Sequence, residues 1–413
     1  MTEITKDSGS QVKTDFVDGD HFHVWLAGCF GLAMTDGAEL GKVLSDAANE
    51  SGLGVLDVSK HSFEGGGCSA TVLLSESHLA AHTWPERDGL TLLDISTCNH
   101  SMDNKRKAER CVSIIKKQLN ASRSISDNMS YAPRFSEPRA PGQGVWIEAK
   151  ETLLDIDSKY QRVQVVRTEG MGITLIIDGL FQVSEADEEF YHEPLVHPAM
   201  LAVDTPKDVL IIGGGDGGAI KHALRHPAVE SVDLVEIDEE VIKAARQYLG
   251  KIHENSFDDP RVRVNVVDAF EYLDSVAGQK DVIILDITDP VGPCERLFTE
   301  EFMDKVAKAL KPGGLASVHL GFPVCWPEAS RMSYDAVKGA FKNVSVCHSY
   351  VPLYAELMGF AIMSNDVDTN EAVKGLGTKL AARSMDEMEI VSEETIGAMF
   401  ALAPKLKKVF GIK

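Results

Sequence analysis

A run of glycines, Gly213-Gly214-Gly215-Asp216-Gly217-Gly218, follows directly on the apolar stretch Asp208-Val209-Leu210-Ile211-Ile212. A loop without side chains lets the backbone approach a ligand beneath a helix N-terminus, so this unit reads as strand, ligand loop and helix. The alternation continues through Ser231–Val235, Val262–Val267 and Asp281–Leu285, which read as further strands of a parallel sheet built from βαβ units. Glu236 ends the second strand within Val235-Glu236-Ile237-Asp238, and Asp268 ends the third. Both fall at the edge where open α/β sheets bind ligands, and a carboxylate after the second strand can accept both hydroxyls of a ribose. The loop alone fits either a dinucleotide or an S-adenosyl ligand. The fourth strand runs into Asp286-Ile287-Thr288-Asp289-Pro290-Val291-Gly292-Pro293, which carries two carboxylates on a proline-stiffened loop. Asp and Pro are also ordinary turn formers.

The chain has 413 residues, enough for two or three domains at ~150 residues each. Residues 1–20 are polar, and an expected flexible start gives way to a mixed strand and helix domain over 21–120. There Val24–Ala27 and Ala70–Leu74 read as strands, while Gly37–Gly52 and Lys105–Leu119 carry apolar residues at helical spacing. Residues 121–142 are rich in Ser, Pro and Gly and are expected to form a linker. A small antiparallel β-domain is expected over 143–205, with a turn at Asp178-Gly179, followed by the doubly wound sheet and C-terminal helices over 206–413.

A net charge of -22, from 63 acidic and 41 basic residues, disfavours a nucleic-acid partner. No stretch of about 18 apolar residues occurs, and the opening Met1–Asp7 has no basic start, so neither a membrane span nor secretion is expected. Seven scattered cysteines without a CxxC pair argue against a disulfide framework or a structural zinc site and suit a cytoplasmic protein.

The segments Ile177-Asp178-Gly179-Leu180-Phe181-Gln182 and Glu188-Glu189-Phe190-Tyr191-His192-Glu193, the glycine loop, Val235–Asp238, Asp286–Pro293 and the closing Met399–Pro404 together resemble spermidine synthase over residues 143–413. The resemblance implies transfer of an aminopropyl group from decarboxylated S-adenosylmethionine to putrescine or a similar amine. An alkylamine has a pKa of ~10, so a general base must free its lone pair. By family correspondence that base is Asp286. Similarity places Gln161, Asp216, Glu236, Asp268, Ala269, Asp286 and Pro293 around the nucleoside, and Tyr191, His192, Asp216, Asp289, Gln182 and Tyr354 around the amine. The chain departs from the family at His319, where Gln is usual, and at Tyr354-Ala355-Glu356; Glu356 is then either an added carboxylate at the acceptor end, suiting an amine such as agmatine, or a surface loop acid.

In the first domain, Ser75-Glu76-Ser77-His78 and His82-Thr83-Trp84-Pro85-Glu86, with Thr97-Cys98 following, resemble bacterial S-adenosylmethionine decarboxylase over about residues 20–120. No GxSxG elbow surrounds Ser77, so an ordinary hydrolase is not indicated. The resemblance implies self-cleavage between Glu76 and Ser77, assisted by His82, which leaves a pyruvoyl group as the only cofactor and no metal. Cys98 corresponds to the family's proton donor. The stretch His61–Ala70 and Asn99-His100 depart from the family pattern, and Glu64 then becomes a candidate for holding a cationic side chain. Some relatives decarboxylate ornithine or arginine.

These readings combine into a bifunctional polyamine enzyme, with an α+β sandwich decarboxylase domain ahead of a small β-domain and a Rossmann-like sheet. One rival has the decarboxylase supplying the acceptor amine from ornithine or arginine. Another makes the first domain an inactive dimerising module. A third, a methyltransferase or nicotinamide-dependent dehydrogenase, shares the glycine loop but leaves Asp286–Pro293 unexplained. The first domain's sheet face needs a partner, so at least a homodimer is expected.

Overall fold

The computed structural model describes residues 19–98, 104–130, 134–140, 142–289, 292–383, 385 and 388–412, without the side chains of 126–130 and 292–293. The chain divides into two compact units, Met1–Pro133 and Arg134–Lys413.

The first unit is a six-stranded antiparallel sheet of β1 (Gly19–Ala27), β2 (Val55–Ser62), β3 (Cys68–Leu74), β4 (Ser77–Trp84), β5 (Leu90–Cys98) and β6 (Arg123–Ser130), in the order β2-β3-β4-β5-β1-β6. Helices α1 (Gly37–Ser51) and α2 (Lys105–Gln118) contribute to the core on one face. Period-2 alternation sends Phe22, Val24 and Leu26 into that core and leaves His21, His23 and Trp25 on the other face. Helix α1 starts where Asp36 accepts the Ala38 N–H at 2.7 Å and ends at Gly52 in the left-handed region. The outer sheet face carries Trp25, Leu73 and Ile125, between 47% and 75% exposed.

The boundary between the two units falls inside the linker expected over 121–142, but most of its described residues lie in strands. Residues Arg123–Ser130 pair with β1 along its whole length, and β7 (Arg134–Ala140) pairs with the strand that follows it. Composition misled here because β1 offers a free edge, and strand formation is decided by the partner's open hydrogen-bonding groups rather than by local propensity. Pro138 is tolerated because β7 is itself an edge strand. The flexible start expected for 1–20 lies almost wholly outside the described residues.

The second unit opens with a five-stranded sheet of β7, β8 (Gln143–Asp157), β9 (Arg162–Thr168), β10 (Ile173–Ile177) and β11 (Leu180–Ser184), paired in reverse chain order. After α3 (Glu188–Ala202) comes a seven-stranded sheet. Its strands are β12 (Asp208–Gly213), β13 (Ser231–Glu236), β14 (Val262–Val266), β15 (Lys280–Asp286), β16 (Leu310–Gly321), β17 (Asn343–Val351) and β18 (Glu356–Ser364), ordered β14-β13-β12-β15-β16-β18-β17. The first five of these are parallel, β18 runs antiparallel to its neighbours β16 and β17, and β17 therefore points the same way as the first five. Alternate residues of β12 enter two different cores: Val209 and Ile211 pack with α3, α4 (Gly218–Leu224) and α5 (Glu239–Tyr248), whereas Leu210 and Ile212 pack with α7 (Ala269–Ser275), α8 (Glu300–Ala309) and α9 (Pro327–Ala340), α6 being the short turn Gly250–His253. Among the described residues no helix is long and apolar enough to cross a membrane.

Candidate active site

In the second unit the strand order reverses between β12 and β15, and a cavity of about 540 Å³ opens at their C-terminal ends. Gly213 and Gly214 take φ of +76° and +64°, and a Cβ on Gly213 would lie 2.0 Å from the Asp286 carbonyl oxygen, so only glycine lets the loop reach β15. Likewise a Cβ on Gly218 would enter the His192 ring at 2.2 Å.

At one end of the cavity Glu236 is buried, and burial pushes its carboxyl up to about 7 against the Asp238 N–H that it accepts at 2.9 Å. Gln161 lines the same end and donates to Asp238 Oδ2 at 3.1 Å. Asp268 and Ala269 line it as well; Asp268 caps α7 by accepting the Phe270 N–H at 2.9 Å and is paired with Arg296. Pro293 lies within the turn Gly292–Phe298, its side chain outside the described ones.

At the other end Tyr191 donates its hydroxyl to Asp286 Oδ1 at 3.0 Å. Burial and the adjacent Asp286 carboxylate push the Tyr191 phenol well above its ordinary range, so it remains a donor. Asp286 Oδ2 is buried and makes no hydrogen bond; His192 Nε2, 3.6 Å away and 3.5 Å from Asp216 Oδ1, makes none either. Burial opposes charge on His192, yet Asp216, Asp286 and Glu188 more than offset it and raise the imidazole well above its ordinary value. Asp289 and Gln182 also line the cavity. Tyr354 lines it too, giving its hydroxyl to the Gln182 carbonyl. His319 is oriented by two bonds: its Nδ1 accepts the Gly321 N–H at 3.2 Å, so its Nε2–H donates to the Ile287 carbonyl at 2.7 Å.

Glu356 does not line the cavity; it is 9% exposed and accepts the Cys325 thiol at 2.6 Å. Thr288, Cys294 and Arg296 line it although the sequence had not singled them out. Glu188, which accepts His192 Nδ1–H at 2.7 Å, was also missed as a site residue, though its i,i+4 spacing to His192 within the same motif was a legible signal.

In the first unit, Ser75-Glu76 forms the tight turn between β3 and β4, and Ser77 takes φ +155°, a value L-residues rarely adopt. The Glu76 carbonyl oxygen accepts the Cys98 N–H at 2.9 Å. Ser77 Oγ donates to Ser96 Oγ at 3.0 Å and lies 3.2 Å from His78 Nδ1, while His78 Nε2 is 3.3 Å from Asp94 Oδ1. His82 is not at Ser77; its Nδ1 is 2.7 Å from Ser69 Oγ, farther along β4. Glu64 is exposed in the turn between β2 and β3.

Comparison with known proteins finds three family matches along the chain: S-adenosylmethionine decarboxylase over 20–130, the spermidine synthase tetramerisation domain over 134–185 and the spermine/spermidine synthase domain over 188–372. A polyamine aminopropyltransferase of Nitrosomonas europaea is 35% identical over 65% of this chain and 83% of its own length. A spermidine synthase of Solanum lycopersicum is 32% identical over 68% of this chain and 84% of its own. A solved spermidine synthase in complex with the transition-state analogue AdoDATO matches with a TM-score of 0.64 and 31% identity, over 68% of this chain and 95% of that one. The spermidine synthase of Thermotoga maritima matches with a TM-score of 0.63, over 68% and 94%.

Proposed function

This chain belongs to the polyamine aminopropyltransferase family, with an S-adenosylmethionine decarboxylase domain ahead of the transferase, and from that premise we propose that it makes decarboxylated S-adenosylmethionine and consumes it in the same molecule. The acceptor in this reading is putrescine or a similar diamine, and the products are spermidine and methylthioadenosine.

The observation that carries the transfer step is Asp286 Oδ2, a buried carboxylate oxygen without a donor at the wall of the cavity. An acceptor ammonium supplies that donor. Asp286 takes its proton, the freed lone pair attacks the carbon beside the sulfonium, and the carbon–sulfur electrons return to sulfur as methylthioadenosine leaves. Tyr191 holds the other oxygen of Asp286 in place. Asp216 and Asp289 supply negative charge toward the amine, while Glu236 and Gln161 receive the ribose end and Asp268 and Ala269 the adenine end. Binding of the nucleoside requires ionised Glu236 to accept two hydroxyl donors, so affinity for methylthioadenosine rises with pH through about 7, by roughly tenfold between pH 6 and 8. Calorimetric titration at both pH values checks this, and Glu236→Gln should be weaker and flat; a pH-independent wild type contradicts it.

For the first domain we infer self-cleavage at Glu76-Ser77. The residues suit the pyruvoyl group of this family: the strained Ser77 backbone places the hydroxyl beside a carbonyl whose oxygen is already held by the Cys98 N–H, where negative charge develops on attack. Attack moves the Glu76 acyl group from nitrogen to oxygen, and elimination of that ester followed by hydrolysis leaves a new carbonyl at Ser77. That carbonyl serves as electron sink when carbon dioxide leaves the substrate. Cys98 returns a proton to the product carbon.

His82 lies five residues along an extended strand from Ser77, about 16 Å, and cannot serve the Ser77 of its own chain. The uncovered apolar sheet face supports a second copy stacked on it, and we assign His82 to the Ser77 of that copy. Ser77→Ala and His82→Ala should each stay uncleaved alone, while their co-expression restores cleavage of the His82→Ala chain, read by mass spectrometry. Cleavage of His82→Ala alone, or none in the mixture, would falsify the assignment. Amine analysis after incubation with S-adenosylmethionine, ornithine or arginine then identifies the decarboxylase substrate.

A further inference from the structure

Behind His192, away from the cavity, runs a row of buried side chains that the transfer chemistry does not use. Glu188 Oε2 accepts from His192 Nδ1 at 2.7 Å and lies 3.1 Å from His222 Nε2. His222 Nδ1 is 3.1 Å from His197 Nε2, and His197 Nδ1 is 3.0 Å from His226 Nε2. His226 Nδ1 faces Arg383 Nη1 at 3.4 Å. All four histidines are 0% exposed.

The two ends of this row determine every proton in it. Arg383 can only donate, so His226 Nδ1 must accept. A neutral His226 then carries its proton on Nε2 and donates to His197; His197 donates from Nε2 to His222, and His222 from Nε2 to Glu188. The far end is a carboxylate, which can only accept, so the polarity is consistent throughout. Burial and the neighbouring cations push His222 down to about 4 and His226 to about 3, and push His197 well below its ordinary value, keeping the three neutral. Glu188 receives two imidazole N–H groups and the Lys221 ammonium; burial alone would raise its carboxyl, but these donors hold it well below the carboxylate range. The other charged groups acting on the row are Glu193, whose carboxylate lies within 4.8 Å of His197 and His222 and accepts the Glu389, Ile390 and Val391 N–H groups, Asp187 and Glu189 beside Glu188, Glu254 behind Lys221, Arg225, and Asp204 beside Arg383. With every N–H directed toward Glu188, His222 has no lone pair facing it. The row therefore cannot carry away a proton that arrives from Asp286 through His192.

We propose that Arg383 is a positioning residue for His192, acting through His226, His197, His222 and Glu188, and so aims His192 Nε2 at the amine end between Asp216 and Asp286. The proposal rests on the aminopropyl-transfer reading above. Arg383 also donates to the Met200 and Val203 carbonyls at the end of α3, the helix whose first turns carry Glu188 and His192. One side chain from the C-terminal segment thus secures both the helix and its hydrogen-bond polarity.

The test uses the full chain labelled with ¹⁵N-histidine. Long-range ¹H–¹⁵N spectra should show His197, His222 and His226 with the proton on Nε2, unchanged between pH 5.5 and 9. A proton on Nδ1, or titration of any of the three in that range, overturns the proposal. His226→Leu cuts the row while leaving the Arg383 bonds to α3 in place. It should raise KM for the amine roughly tenfold with kcat within about twofold, and His226→Gln, which can accept and donate at the same points, should recover most of the loss. Arg383→Met should release the His226 tautomer in the same spectra. Unchanged KM in both His226→Leu and Arg383→Met overturns the positioning role. Absence of aminopropyl transfer in the wild type would overturn the transfer reading instead, and the spectra would still decide the polarity.

Discussion

Asp286→Asn is expected to lower kcat for aminopropyl transfer by ~10³-fold while methylthioadenosine binds within a few-fold of the wild type. Asparagine keeps the shape and can still accept the Tyr191 hydroxyl on its amide oxygen, so the cavity survives. It cannot take a proton. An acceptor amine with a pKa of ~10 stays almost wholly protonated at pH 7, and its lone pair is unavailable without a base at the reacting end. Chromatographic measurement of methylthioadenosine release checks the rate, and titration with methylthioadenosine checks the fold. A loss of less than tenfold would mean that another group, such as Asp216 at 3.5 Å from His192 Nε2, deprotonates the amine.

The second large effect is all-or-none. The wild-type chain of 44.9 kDa should appear in a denaturing mass spectrum as fragments of about 8 and about 37 kDa, and Ser77→Ala as a single intact chain, because the hydroxyl is the attacking group. Decarboxylation should be lost with cleavage, since the Ser77→Ala chain never acquires its electron sink. Transfer should persist in Ser77→Ala when decarboxylated S-adenosylmethionine is supplied, because Asp286 and its cavity lie in a separate compact unit. An intact wild-type chain would instead support a first domain that serves only to bring copies together.

Much of the lining of the candidate site was legible from residue order. Glycines, strand-ending acids and the Asp286–Asp289 loop have their meaning within single βα turns, and Gln161, Gln182, Asp216, Glu236, Asp268, Ala269, Asp286 and Asp289 all line one cavity. The decarboxylase motif likewise placed Glu76, Ser77 and Cys98 together, across one hairpin and its neighbouring strand. The strands β6 and β7 within residues 121–142 were not legible because Ser, Pro and Gly content reports local preference, whereas the open edge of β1 and the start of a second sheet decided the outcome. The separation of His82 from Ser77 was unreadable for a related reason: motif spacing records neighbours along the chain, not the strand distance between the two side chains.

What the sequence by itself determined is the set of local units: βαβ turns with their glycines, alternating strands, capped helices and the motifs carried on them. Only the tertiary structure decided that Asp286 Oδ2 and His192 Nε2 face one another without partners, that Glu356 is turned onto Cys325 and away from the cavity, and that Arg383 reaches His226 from 157 residues along the chain. The division has a physical basis. Backbone sterics and hydrophobic periodicity act over a few residues and are written in order, whereas burial and hydrogen-bond polarity depend on which distant segments exclude water from the same place.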